Sequence, residues 1–194
     1  MDNALTHLCD FIHETQKERG SVSLYLRGSN GEFSEVMESQ FAVVDGAAKG
    51  LTSLPKQQSS RIDPFLNAVH YLPAKRKYVI ARMLEPAETL SFYTRDIVVP
   101  ALEIVQELAV LDPANHPAKV SAFINFLQWK ERIGLERALG TQLVDPAISA
   151  SPDVRNRLEY LISEQQAYER MFLELSDEKG RKAVEALKKE HAVF

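Results

Sequence analysis

The stretch ALTHLCDFIHETQKERGSVSLYL, residues 4–26, decides the fold class because one stripe of positions recurs in it at spacings of three and four. The stripe consists of Leu5, Leu8, Ile12, Thr15, Arg19, Val22 and Leu26. This is the period of one face of an α-helix and not of a strand. Asp2 and Asn3 are suitable residues to cap the start of this helix, and the run Gly28-Ser29-Asn30-Gly31 ends it.

The same spacing continues along the chain, and strict alternation over five or more residues is scarce. We therefore predict an all-α protein, an antiparallel helical bundle or bundles of about six to seven long helices. Proline and glycine set the boundaries. The second predicted helix runs from Phe33 to about Leu54, and the third begins at Asp63-Pro64 and has a break or kink at Pro73. The fourth runs from Glu85-Pro86 to about Leu111 with a kink at Pro100. The fifth runs from Ala118 to Val144 and ends at Asp145-Pro146, and the last begins at Ser151-Pro152-Asp153.

The last long helix has apolar positions in a 4-3 heptad spacing: Val154, Leu158, Leu161, Tyr168, Phe172 and Leu175, with Gln165 in the one polar slot. Such a seam packs inside the same bundle or forms a coiled-coil contact with a second copy. No shift in composition marks a second domain, so we predict one helical domain over residues 1–176. Residues 177–194 are predicted to be a charged C-terminal tail or short helix.

Composition excludes several classes of protein. The 194 residues are 45% apolar and 26% charged, which are globular values with enough apolar material for a core. A formal charge of −4 gives no overall attraction to nucleic acid or to an anionic membrane. The first 30 residues do not have the order of a signal peptide, and no window reaches the roughly 18 apolar residues of a membrane span. We expect a cytoplasmic protein.

Metal and catalytic motifs are scarce. Cys9 is the single cysteine, which excludes an internal disulfide and a cysteine-based zinc site, and its expected role is a small buried apolar residue. The five histidines form no Glu-x-x-His pair of the kind that binds metal in helical bundles. No phosphate-binding loop or Gly-x-Ser-x-Gly motif occurs. The expectation is a protein without metal, cofactor or enzymatic activity.

Two arginines occupy positions where the helical period demands apolar groups. Arg19 lies on the stripe of residues 4–26, and Arg137 follows Phe123, Phe126 and Ile133 at helical spacing, which predicts a core position for it as well. Arg132 instead shares a face with Gln128, Asn125 and Glu136, which indicates an outer or flanking surface.

A buried guanidinium keeps its proton, and removing the partner of a buried ion costs about 3–5 kcal/mol. Each arginine therefore needs an anion. One source is a neighbouring carboxylate, for which Glu18, Glu131 and Glu136 are candidates, in a structural salt-bridge network. The other source is a ligand, because two arginine forks that converge match a small planar oxyanion. Gly20 and Gly134 would let the helices approach closely and leave a small hole.

The run Gln16-Lys17-Glu18-Arg19-Gly20 with Ser23 and Tyr25-Leu26 resembles the first motif of the nitrate- and nitrite-sensing (NIT) domain family. Lys130-Glu131, Gly134 and Glu136-Arg137-Ala138 resemble its second motif, Lys-Glu-x-x-Gly-x-Glu-Arg-Ala. Two weaker stretches, Phe33 to Asp45 and the set Gln165, Tyr168 and Phe172, are also similar, so the resemblance covers about residues 4–176.

The resemblance implies an all-helical sensor that holds nitrate or nitrite on Arg19 and Arg137. Further residues expected to line the site are Ser23, Lys130, Arg132, Gly134 and Thr141. The chain is shorter between the motifs than the family's nitrate-responsive antiterminator and has no room for an RNA-binding output domain, so direct nucleic-acid binding is not expected.

Our hypothesis is a cytoplasmic sensor of a small planar oxyanion that relays occupancy by helix rearrangement to a homodimer partner or a separate output protein, with the seam Val154 to Leu175 as the responding surface. The alternative is a non-sensing interaction protein, a helical bundle in which the two motifs form a structural salt-bridge network.

Overall fold

Helix α1 is the element against which most of the others pack, and its stripe explains why. In the computed structural model, Leu5, Leu8, Ile12, Thr15, Arg19 and Val22 are all buried, while Leu26 is half-buried. The structure describes residues 3–28, 31–144 and 151–191. The predicted helix ends at Asp2, at Ser29-Asn30 and at Asp145-Pro146 lie outside the described residues.

The helices follow one another in the predicted order. They are α1 (Asn3–Arg27), α2 (Ser34–Ala48) with a 3-10 turn (Lys49–Ser53), α3 (Ile62–Ile80), α4 (Pro86–Ser91), a π-helical segment (Phe92–Val98), α5 (Val99–Leu111), α6 (Pro117–Gly140) with a 3-10 turn (Thr141–Val144), α7 (Pro152–Leu175) and α8 (Glu178–His191). Because α4, the π segment and α5 run without a break, the described residues form seven helices and no strand. The all-α prediction is confirmed.

Two prolines behave differently from the sequence expectation. Pro73 lies inside α3 without breaking it, since the helix continues to Ile80. At Pro100 the sequence predicts a kink, and the structure has the π segment just before this residue. In that segment the Val99 N–H bonds back five residues to the Thr94 carbonyl. A π turn of this kind is a local widening of the helix.

The core lies between α1 and its neighbours. Phe11 packs edge-to-face on Phe65 of α3 with ring centroids 5.8 Å apart. The α2 helix runs antiparallel to α1, because Gln40 bonds to Glu14 whereas His7 meets Ser53 in the following turn. On its other sides α1 contacts α4, the π segment, α5 and α6. None of the helices in the described part of the chain is long and apolar enough to cross a membrane.

Helices α6 and α7 form an antiparallel hairpin. Gln165 donates to Glu136 at 2.7 Å, the Arg132 guanidinium lies 4.9 Å from the Tyr168 ring, and Phe172 lies 5.5 Å from Phe126. The heptad seam therefore packs inside the chain. Of the two arrangements predicted for this seam, packing inside the same bundle is the one in the structure, and α6 covers the face that a coiled-coil contact with a second copy would need.

Helix α8 returns over the α6–α7 hairpin. Val184 is its buried side chain, and Lys188 contacts Glu169 of α7 and lies 5.9 Å from the Trp129 ring. Helix α8 covers Glu178–His191 and supplies one wall of the cavity described below.

Cys9 is half-buried against the core. Burial and the negative charge of Asp10 raise the pKa of its thiol from 9.0 to about 11, and the positive charge of Lys130 acts in the opposite direction. Only the thiolate reacts, and its lower fraction is partly offset by the greater nucleophilicity of a more basic thiolate, so the raised pKa slows alkylation about tenfold at pH 8. We expect iodoacetamide to label the native protein about tenfold more slowly than the protein unfolded in urea. Equal rates would show that Cys9 is not held in this environment.

Candidate functional site

Arg19 meets Glu131 in a buried, two-pronged ion pair that joins the two sequence motifs. Its Nη1 and Nη2 atoms donate to the two carboxylate oxygens at 2.6 and 3.0 Å. Gln16 donates to the same carboxylate at 2.8 Å, and Thr94 accepts from Arg19 at 3.0 Å. Arg19 is 1% exposed and Glu131 0%. The core position predicted for Arg19 is confirmed, and its anion in this structure is an internal carboxylate.

The preceding residue, Glu18, enters a second buried ion pair on another face of α1. Arg76 donates to its two oxygens at 2.9 and 2.6 Å, and Tyr93 donates at 2.6 Å. Arg76 also donates to Asp45 at 2.6 Å. Burial raises the pKa of the Glu18 carboxyl, against the effect of Arg76 and of the Tyr93 hydroxyl. Burial and the Glu18 charge raise the pKa of Tyr93 well above its usual value, so its hydroxyl stays a donor.

The π segment supplies one hydroxyl group to each of the two ion pairs. Tyr93 and Thr94 are consecutive residues of it, yet they bond to Glu18 and Arg19 respectively. A π turn holds more residues than an α turn, so consecutive side chains diverge less around the axis. The widened turn therefore turns both hydroxyls towards α1.

Hydrogen bonding around Arg19 is incomplete. The Arg19 Nε atom and the Thr15 Oγ1 atom, one turn earlier on α1, are both buried and have no hydrogen-bond partner among the described residues. Buried polar groups are normally satisfied. The Nε–H group of Arg19 is thus a donor that neither Glu131 nor Thr94 uses.

A cavity of about 630 Å³ lies beside this ion pair, between α1, α6 and α8. Its described lining residues are His13, Gln16, Lys17, Gly20, Leu24, Phe126, Trp129, Lys130, Ile133, Gly134, Arg137, Ala138, Thr141, Val184 and Lys188. Four of them are cationic at neutral pH, and none of these lining residues is an aspartate or glutamate. Because Lys17 pairs with Glu14 and Lys188 with Glu169, the positive charge of the wall comes mainly from Lys130 and Arg137.

Arg137 lines this cavity and is exposed, with no ion pair to another described residue. The prediction that it occupies a core position is wrong. Arg137 does share a face of α6 with Phe126 and Ile133, as the sequence predicts, but both of those residues line the cavity as well. The physical reason is that this face of α6 borders an open space, while the core-facing side carries Val120, Leu127 and Glu131.

Gly134 separates the cavity from Arg19. A methyl group at position 134 would lie 3.0 Å from Arg19 Nη2, so a larger residue would press on the guanidinium. The close approach predicted for Gly134 is therefore present. At Gly20 the predicted close approach is absent, because no atom of the other described helices lies within 4 Å of where a methyl group would stand.

The other predicted lining residues divide between the cavity and its surroundings. Lys130 lines it and donates to His13 Nδ1 at 2.8 Å, and Thr141 lines it with its hydroxyl on the Ala138 carbonyl at 2.8 Å. Ser23 bonds to the Arg19 carbonyl at 2.8 Å and is not among the lining residues. Arg132 faces α7, where it contacts Glu164 and the Tyr168 ring, and it also bonds to Gln128 one turn earlier on α6. It is a flanking residue rather than part of the cavity.

The sequence interpretation missed Arg76 and its partners. A signal for Arg76 exists, because it continues the buried stripe of Ile62, Phe65, Leu72 and Val79 in the same way that Arg19 does in α1. The expected break at Pro73 concealed it. Tyr93 and Thr94 carry no comparable signal, because a π turn departs from the 3.6-residue period. In the described part of the chain no group of three or more His, Cys, Asp or Glu residues is placed to hold a metal.

A family model described as nitrate and nitrite sensing matches residues 10–193, nearly the whole chain and including both motifs. No curated protein and no solved structure matches the chain.

Proposed function

The chain belongs to the nitrate- and nitrite-sensing (NIT) family, and from that membership we propose that it binds nitrate or nitrite between α1 and α6 on Arg19 and Arg137. The observation that carries the proposal is the position of the two motifs. Arg19 lies directly behind Gly134, and Arg137 projects from the next turn of α6 into the cavity that Gly134 lines.

Charge supports an anion at this place. Arg137 has no carboxylate partner among the described residues, and the cavity wall is cationic. A planar oxyanion would receive in-plane hydrogen bonds from a guanidinium, the geometry that arginine offers to carboxylates. The unused Nε donor of Arg19 is a further group for such a ligand.

Glu131 has a defined role in this proposal. Its carboxylate is planar, carries one negative charge and already occupies the two donors of Arg19. Nitrate and nitrite have the same planar pair of oxygens, so we propose that the anion and Glu131 compete for Arg19. The resting protein is then closed by its own side chain, and binding requires Glu131 to release the arginine.

Relay follows from the position of Arg19 in α1. The neighbouring Glu18 joins α1 to α3 and to the π segment, so a movement of α1 that accompanies exchange at Arg19 is passed to those elements. We propose that the output is a homodimer partner or a separate output protein that reads this movement, and that the protein acts in the cytoplasm. The family is a sensing family, and we propose no enzymatic activity, cofactor or nucleic-acid contact.

A second candidate function rests on the Arg19–Glu131 pair itself. A closed, fully buried ion pair between the two motifs is also what a non-sensing interaction protein would contain. The two candidates differ in whether an external anion affects the protein, and one variant on the cavity wall separates them.

We expect Arg137→Ala to abolish the rise in melting temperature that nitrate or nitrite causes. A ligand that binds only the folded state stabilises it by about 2.7 kcal/mol at one hundred times its Kd, which is several degrees for a chain of this size. Because Arg137 is exposed and forms no ion pair with another described residue, the variant should fold normally. Thermal melts with nitrate, nitrite and chloride at equal ionic strength provide the measurement.

The matched control is Arg132→Ala on the same helix, which should retain most of the anion-dependent shift because Arg132 faces α7. Equal stabilisation of the unmodified protein by chloride and nitrate would exclude a specific site. A nitrate shift retained in Arg137→Ala would remove Arg137 from the site.

A further inference from the structure

The cavity is far larger than a nitrate ion. An anion of four heavy atoms occupies the space of two or three water molecules, about 30 Å³ each. A cavity of about 630 Å³ falls instead in the range of sites that hold organic molecules, roughly 300–1,000 Å³. Most of the space is thus left unused by the proposed anion site at Arg19 and Arg137.

The end of the cavity away from Arg137 is aromatic. Phe126 and Trp129 of α6 lie with their ring centroids 6.4 Å apart, and both lie close to Phe172 of α7. Val184 of α8 completes this part of the wall. Apolar surface of this kind gains free energy when an apolar group covers it.

Lys130 is the cation at this aromatic end. It is half-buried and its Nζ atom donates to the neutral His13 ring nitrogen, while no carboxylate of a described residue forms an ion pair with it. Burial lowers the pKa of Lys130, against the effect of the nearby Cys9, Glu131 and Glu14. Lys188 also lines the cavity, but it already contacts Glu169. Lys130 is therefore the group that an anionic head would satisfy.

We propose that the aromatic end of the cavity binds an organic monocarboxylate, with its carboxylate on Lys130 and its apolar body against Phe126, Trp129 and Val184. The proposal is independent of nitrate sensing, because it depends on Lys130 and the aromatic wall and not on Arg19 or Arg137. Since Val184 belongs to α8, an occupant would also hold α8 against the hairpin of α6 and α7.

Trp129 provides the measurement, because it is the only tryptophan of the chain and lies in the proposed site. We expect decanoate, kept below its micellar concentration, to change the tryptophan fluorescence saturably with one molecule bound per chain. Along the series hexanoate, octanoate and decanoate the affinity should rise about fourfold per added methylene, the value that corresponds to about 0.8 kcal/mol per buried CH₂. Decanol, which lacks the charge, should bind more weakly than decanoate.

Lys130→Met keeps an unbranched, flexible side chain, one atom shorter than lysine, and removes its charge. It should weaken decanoate binding about 10- to 100-fold, as expected for the loss of a hydrogen bond to a charged group. The matched control is Lys49→Met, an exposed lysine outside the cavity, which should bind as the unmodified protein does. Arg137→Ala should retain decanoate binding, so failure of this proposal and failure of the nitrate site give different results. Absence of a saturable signal, an affinity independent of chain length in the unmodified protein, or equal affinity in Lys130→Met would each overturn the proposal.

Discussion

Replacing Arg76 by methionine should lower the free energy of unfolding by about 3–5 kcal/mol, because it leaves the Glu18 carboxylate buried without its cation. Glu18 is 0% exposed and would retain only the Tyr93 hydroxyl as a side-chain partner among the described residues. For a chain of this size the loss corresponds to a fall in melting temperature of roughly 2–4 °C per kcal/mol. Urea unfolding followed by circular dichroism measures it.

Arg95→Met is the matched control, since Arg95 lies on the π segment beside the network with a side chain 78% exposed. It should change stability by less than about 1 kcal/mol. The double variant Glu18→Met with Arg76→Met removes both charges and should recover much of the loss, because well-packed apolar residues often replace a buried ion pair without cost. Equal stability of Arg76→Met and Arg95→Met would contradict the network as described.

Glu131→Gln should increase the affinity for nitrate about 10- to 100-fold, the equivalent of the 1.5–3 kcal/mol that a hydrogen bond to a charged group contributes. The substitution keeps the shape of the side chain and removes the charge that competes for Arg19. It should also destabilise the protein in nitrate-free buffer, because Arg19 is then buried without a counter-charge, and nitrate should reverse that loss. Calorimetric titration and thermal melts give the two readings.

Glu136→Gln is the control for this prediction, because Glu136 belongs to the same motif but bonds to Gln165 of α7. It should leave nitrate affinity unchanged. An unchanged nitrate affinity in Glu131→Gln would show that Glu131 and the anion do not compete, and a destabilisation that nitrate fails to reverse would favour the interaction-protein alternative.

The helical period predicted the fold because it depends on local geometry alone. The stripe of α1, the helix starts at prolines and the all-α class all follow from side-chain spacing, and the structure contains them. The buried position of Arg19 follows from the same rule. Whether a stripe faces packed core or open space depends on which helices cover it, and this is why Arg137 was placed wrongly.

The charged partners show the same limit. The sequence offered Glu18, Glu131 and Glu136 as candidates, and only the packing of α6 on α1 selects Glu131 for Arg19. Glu18 instead pairs with Arg76, which is 58 positions away along the chain. Such pairings depend on tertiary contacts between helices, for which a single sequence carries no periodic signal.

The closed Arg19–Glu131 pair also limits the rate at which a solute can reach Arg19. Any solute that reaches this guanidinium must wait until a two-pronged, water-excluded pair opens. Rearrangements of this kind take microseconds to milliseconds, whereas a small ion meets the protein surface much more often at millimolar concentration. For the proposed anion site this means that, above a certain concentration, the rate of response at Arg19 would be set by the opening of the pair rather than by supply of the ion. A guanidinium held in this way would pass on the average level of the proposed anion and filter out brief fluctuations.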